Sequence, residues 1–150
     1  MYESEDDGAT WQLKAFGGLA LRSIHVHPAD PARIFIGTTG AGIYVSTNGG
    51  DSFVAANVGV PYARVEKLSG DPADPLIVVA SLADLTPQGV TSGQGQILRT
   101  INGGVSWTVA LGNVSRTFGL ARCEASPNLL FAGLWGDGVA TSVDGGASWS

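Results

Sequence analysis

Apolar residues in this chain come in short runs separated by Gly, Pro, Asn and Asp, and none of the runs repeats at helical spacing. Residues 19–27 (LALRSIHVH), 33–39 (RIFIGTT), 42–47 (GIYVST) and 53–56 (FVAA) form one round. A second runs through 64–70 (RVEKLSG), 76–82 (LIVVASL), 96–100 (QILRT) and 107–111 (WTVAL). A third has 116–125 (RTFGLARCEA), 129–135 (LLFAGLW) and 138–142 (GVATS), and ends at Trp149-Ser150 where a fourth run is expected. Each run predicts a β-strand, so each round predicts an antiparallel unit of strands a, b, c and d. Strand b is almost continuously apolar in every round, which predicts that both of its faces are covered.

Between strands c and d one eight-residue phrase recurs: SEDDGATW (4–11), STNGGDSF (46–53), TINGGVSW (100–107) and SVDGGASW (142–149). Its closing aromatics are spaced 42, 54 and 42 residues apart. Periods near 40 to 45 residues with four strands per unit predict propeller blades. PAD-P before strand b in the first two rounds, replaced by SPN in the third, is a second signature in the same register.

The phrase predicts a self-capping hairpin. Its first residue (Ser4, Ser46, Thr100, Ser142) ends strand c and can hydrogen-bond back across the turn. The third (Asp6, Asn48, Asn102, Asp144) can accept backbone N–H groups. The fifth (Gly8, Gly50, Gly104, Gly146) supplies a positive φ, and the closing aromatic (Trp11, Phe53, Trp107, Trp149) wedges beside the hairpin.

S/T-x-D-x-G-x-x-W resembles the Asp-box, or bacterial neuraminidase repeat. That repeat occurs in sialidases, xyloglucan-cleaving glycosidases, sortilin-like receptors and photosystem II assembly-factor propellers. Phe53, Asn48 and Asn102 depart mildly from the pattern. The resemblance implies an all-β protein: a β-propeller of four-stranded antiparallel blades, about three of them in this chain. The expected division is a partial blade (1–16), a blade (17–56), a blade with a long b–c loop (57–111) and a blade lacking its last strand (112–150). It also implies that the repeats are structural and that ligands bind the opposite face.

Composition narrows the partners. The chain has 150 residues, is 44% hydrophobic and only 14% charged, which suits a folded core rather than disorder. A net charge of −5 argues against nucleic acid and anionic membranes. The sequence contains no signal peptide and no apolar span long enough to cross a membrane, and it does not settle localisation. Cys123 is the single cysteine, expected as a buried thiol. His25 and His27 lack an evident third ligand, so they are expected to be structural, with no metal and no cofactor.

In a blade, the b–c loops and d–a connections emerge opposite the hairpins. That face collects residues 38–42, 81–96 and 134–138, and the connections around Phe16, Tyr62 and Arg116. The expected ligand-binding residues are Asp84, Gln88, Trp135, Asp137, Tyr62 and Arg116. Residues 82–95 hold the 12-residue insertion behind the 54 spacing, and long loops on rigid scaffolds often carry function. Trp135 near Asp137 suits a sugar or peptide, one stacking and the other hydrogen-bonding. Asp84 and Asp137 are the clear acids there but belong to adjacent blades, the motifs that carry catalysis in the related glycosidases are not recognisable, and Arg64, Arg99, Arg116 and Arg122 assemble no sialidase-type triad. The reading is therefore a binding or scaffolding module for a glycan or protein, leaning away from an enzyme and with no catalytic residue assigned. The alternative is part of a xyloglucanase- or sialidase-like glycoside hydrolase. Propellers have roughly four to eight blades, so ring closure is expected through a second copy (a homodimer) or through the rest of a longer propeller.

Overall fold

The computed structural model describes residues 1–61, 63–85 and 91–150, and among these there are strands and turns but no helix. A two-stranded ribbon comes first, β1 (Tyr2–Glu3) with β2 (Gln12–Leu13). The next sheet holds β3 (Leu21–His27), β4 (Asp30–Thr38), β5 (Ile43–Ser46) and β6 (Val54–Ala55) in that order. A second four-stranded sheet has β7 (Ala63–Gly70), β8 (Val78–Leu85), β9 (Thr91–Thr100) and β10 (Thr108–Ser115), again in sequence order. The last sheet has β11 (Thr117–Cys123), β12 (Ser126–Leu134) and β13 (Gly138–Ser142). All pairings are antiparallel. The sheets stack as an arc of a β-propeller with β3, β7 and β11 as the inner strands.

Stacking explains why strand b carries no polar face. Along β8, Val78, Ala80 and Leu82 join Leu98 in a core with Phe35, Ile43 and Val45 of the preceding blade. The alternate Val79 joins Ile97 in a second core with Leu130, Ala132 and Ala140 of the following blade. One strand therefore serves two cores. β8 and β9 also run further into the 82–95 segment than the sequence suggests, with Leu85 paired to Thr91. The expected long loop is shortened to match, and residues 86–90 lie outside the described residues.

All four hairpins share one network. The first-position hydroxyl donates to the third-position oxygen (2.8 to 2.9 Å) and accepts the N–H groups of the third and fifth residues. The third-position oxygen also accepts the N–H of the seventh residue, at 2.8 to 3.0 Å. The sequence reading missed that seventh residue. Its hydroxyl (Thr10, Ser52, Ser106 or Ser148) bonds the other end of the same carboxyl or carboxamide. The fourth residue of the phrase bonds back to the start of strand b, or the residues leading into it, through Gly49 to Ala32, Gly103 to Leu76 and Gly145 to Asn128. Hairpins and a–b turns thus share one end of every full blade.

The closing aromatics differ in depth. Trp107 is buried, meets Phe35 edge-on, and donates its indole N–H to the Ala56 carbonyl of the preceding blade. Trp149 packs against the second core. Phe53 meets Phe16, and Trp11 stays 62% exposed with its indole N–H on Gly8 of its own turn. Cys123 is half-buried rather than buried, and the inner strand shifts register beside it. His27 is structural as expected. Its Nδ1 accepts the Ala29 and Asp30 N–H groups, so Nε2 carries the proton that it donates to Asp71 O of the next blade.

Gly104 sits at φ +90°, where an added Cβ would lie 3.2 Å from both Ala56 and Phe35. Gly104→Val is expected to destabilise by about 2 kcal/mol or more, from strained φ and overpacking together. Gly49→Val, at φ +71° with open space around it, meets the conformational strain alone and should lose less. Urea denaturation of the two variants checks the order; equal midpoints would refute it.

Hydrogen bonds from Ser148, then Ser142, hold the Asp144 carboxyl well below its ordinary range, and those from Thr10, then Ser4, lower Asp6. A depressed folded-state pKa gives stability that is present above the unfolded value and lost as pH falls through the folded one. The Asp6 and Asp144 hairpins should therefore loosen progressively below about pH 3.8, while the Asn48 and Asn102 hairpins hold. Amide protection factors at Thr10 and Ser148, compared with Ser52 and Ser106, report it; parallel loss in all four would overturn the account.

Candidate functional site

Each inner strand carries a bulge at the same place. The ladder skips one residue between Leu21 and Ser23, one between Val65 and Lys67, and one between Thr117 and Gly119. The extra residues are Arg22, Glu66 and Phe118. A bulged residue leaves the ladder, and its side chain is re-aimed. Here the three converge toward the inner edge of the arc, near the end opposite the hairpins.

Glu66 is the hub. Its side chain is only 5% exposed and receives an arginine from each of three blades. Arg22 donates to Oε2 at 2.5 Å. Arg116 and Arg64 stand 3.6 and 3.8 Å from Oε1, too far for a hydrogen bond. Oε1, Arg64 Nε and Arg116 Nε are all buried without a hydrogen-bond partner.

Beside this hub lies an aromatic platform. The Arg116 guanidinium sits 4.4 Å over the Phe118 ring, and that ring lies 5.4 Å from Trp135. Trp135 is 71% exposed, and its backbone N–H is anchored to the Arg116 carbonyl at 2.9 Å. Asp137 Oδ2 accepts the Ser115 N–H at 3.3 Å and the Ser115 hydroxyl. The last residue of one blade thereby fixes the carboxylate of the next.

Three of the expected residues, Arg116, Trp135 and Asp137, are thus gathered at one seam, between the second and third blades. Asp84 is elsewhere: it pairs with Ala63, on the sheet face that carries Leu82 toward the preceding blade, and its Oδ1 is buried without a hydrogen-bond partner. Tyr62 and Gln88 lie outside the described residues. Arg22, Glu66, Phe118 and Ser115 were missed by the sequence reading. Aligning LRSI, VEKL and TFGL puts Arg22, Glu66 and Phe118 in one column, and that column was the available signal. An arginine cluster does form, but from Arg22, Arg64 and Arg116; Arg122 instead pairs with Asp71, and Arg99 with the Gly145 carbonyl. Among the described residues no group of three or more His, Cys, Asp or Glu side chains could hold a metal ion.

A model of the Sortilin-Vps10 family, described as sortilin, neurotensin receptor 3, matches residues 1–132. No curated protein matches the chain in sequence. Among solved structures it superposes on an ancestral GH74 enzyme with a TM-score of 0.78 at 22% identity, over 99% of this chain and 20% of that one. The GH74 xyloglucanase from Xanthomonas campestris gives 0.72 at 21% identity, over 94% and 22%. YCF48 from Cyanidioschyzon merolae gives 0.58 at 17%, over 88% and 36%. The chain therefore spans about a fifth of the length of the two GH74 proteins, and the likeness to all three is one of fold.

Glu66→Gln would leave three arginines facing a neutral side chain. With the arginines partly exposed, the expected loss is about 2 kcal/mol, below the cost of breaking a fully buried pair. Thermal denaturation at neutral pH measures it, and an unchanged midpoint would show that the hub contributes nothing to holding the blades together.

Proposed function

The chain belongs to the Sortilin-Vps10 family of β-propellers, and from that premise we propose that it is a binding module whose ligand, a glycan, sits on the face opposite the hairpins. The observation that carries this reading is the stack of Arg116, Phe118 and exposed Trp135, with Asp137 held two residues from the indole. An indole lying open on a rigid strand end covers the apolar face of a pyranose ring with little side-chain ordering on binding. Asp137 and Arg116 then supply an acceptor and donors for the hydroxyls at the ring edge. Rigid support comes from below, since the platform stands on β11 and β12, which pair continuously from Gly119 to Arg122.

A second reading is part of a glycoside hydrolase, favoured by the likeness to a xyloglucanase. Hydrolysis needs two carboxyl groups flanking one bond, about 5 to 9.5 Å apart. Asp84 and Asp137 stand on different blades, and the sheet face of Asp84 looks away from the third blade. Binding is therefore the better account.

Trp135→Ala should weaken binding of a xyloglucan oligosaccharide by about five- to thirtyfold, the loss of one stacking contact of roughly 1 to 2 kcal/mol. Calorimetric titration of both proteins decides. A variant that binds as tightly as the original would remove the platform from the site, and xyloglucan cleavage that is lost in Asp84→Asn would establish the hydrolase instead.

A further inference from the structure

Arg64 and Arg116 start the inner strands of adjacent blades, and both lie within 4 Å of the same oxygen, Glu66 Oε1. The opposite oxygen is committed to Arg22. Two guanidiniums therefore share one end of a single carboxylate, with neither in hydrogen-bond contact with it. Like charges held this close repel, and each also buries an Nε–H with no acceptor. A buried charged donor without an acceptor is costly. No other carboxylate among the described residues lies within ion-pair distance of either arginine. Asp84 belongs to the other sheet face, and Asp137 is bound to Ser115.

An oxyanion between the two guanidiniums would separate the charges, taking hydrogen bonds from the part of each side chain that stays exposed, 24% of Arg64 and 22% of Arg116. Planar guanidiniums suit such a group, because their donors match paired oxygens. The position relative to the platform sets the ligand class. Arg116 is itself the layer stacked on Phe118, so an anionic substituent at the arginines and a sugar ring on Trp135 fall within one short saccharide.

We infer that Arg64 and Arg116 form an oxyanion site next to the aromatic platform, and that the glycan bound there is acidic, bearing a carboxylate or a sulfate. The acidic-glycan part rests on the binding reading above; the oxyanion site does not. Salt dependence follows, since an ion-paired ligand loses affinity as ionic strength rises.

Two measurements test the inference separately. In the first, inorganic sulfate is titrated against chloride at matched ionic strength, and the side-chain Nε–H resonances of Arg64 and Arg116 are followed by NMR. Saturable shifts at both are expected; shifts at neither would overturn the oxyanion site, whatever saccharides do. In the second, trigalacturonate, its fully methyl-esterified form and a sulfated trisaccharide are titrated calorimetrically into the intact chain. The acidic ligands should bind at least tenfold more tightly than the ester, and Arg64→Gln should remove that difference while leaving binding of the ester. A preference for the carboxylate over the sulfate, or the reverse, identifies the group. Equal or tighter binding of the ester would overturn the acidic-glycan assignment and leave the glycan reading standing. Sulfate shifts with no saccharide bound would do the opposite, keeping the oxyanion site and sinking the glycan reading.

Discussion

A sheet whose central strand is apolar on both sides cannot stand alone in water, and everything else in this chain follows from that. β8 sends Val78, Ala80 and Leu82 to one side and Val79 to the other, and the neighbouring blades must cover both. Coverage requires the sheets to approach to ordinary packing distance, about 10 Å. The hairpin of one blade then meets strand b of the blade before it, at Gly104 against Phe35 and at Gly146 against Val79. A side chain at either place would hold the sheets apart. The recurring phrase is thus a condition for stacking as much as a way of turning the chain.

Because the glycine positions leave the hairpin little to pack with, its order comes from polar groups. One hydroxyl and one carboxyl or carboxamide satisfy most of the turn's donors within eight residues. The charged and uncharged versions keep the same geometry, which is why Asp in the outer two copies and Asn in the inner two serve equally. Trp107 adds a bond between blades, through Ala56, that the other three aromatics do not make.

The repeat made the architecture readable. Strand order, blade count and the positive φ of the fifth position all follow from residues that recur in register. The site was less readable, for two physical reasons. Pairing register is set by the ladder, and a bulge shifts it without a distinctive residue: Arg22, Glu66 and Phe118 share no chemistry that would mark them as equivalent. The arginine cluster is also assembled across three blades from residues up to 94 positions apart (Arg22 to Arg116), where spacing along the chain carries no information about distance. Trp135 and Asp137 lie together in the structure as in the sequence because both fall in a single short turn. Asp84 stands apart from them, since the face of a strand-end residue depends on a register that the insertion beside it obscures.

Residues at 22, 66 and 118 are excluded from cross-strand pairing, so the ladder itself places no demand on their identity. One copy is a cation, one an anion and one an aromatic ring, yet the three strands that carry them are otherwise alike. The strand pairing is thus decoupled from this one column of side chains: the ladder skips the same place in every blade, and the inner lining varies from blade to blade around a constant register.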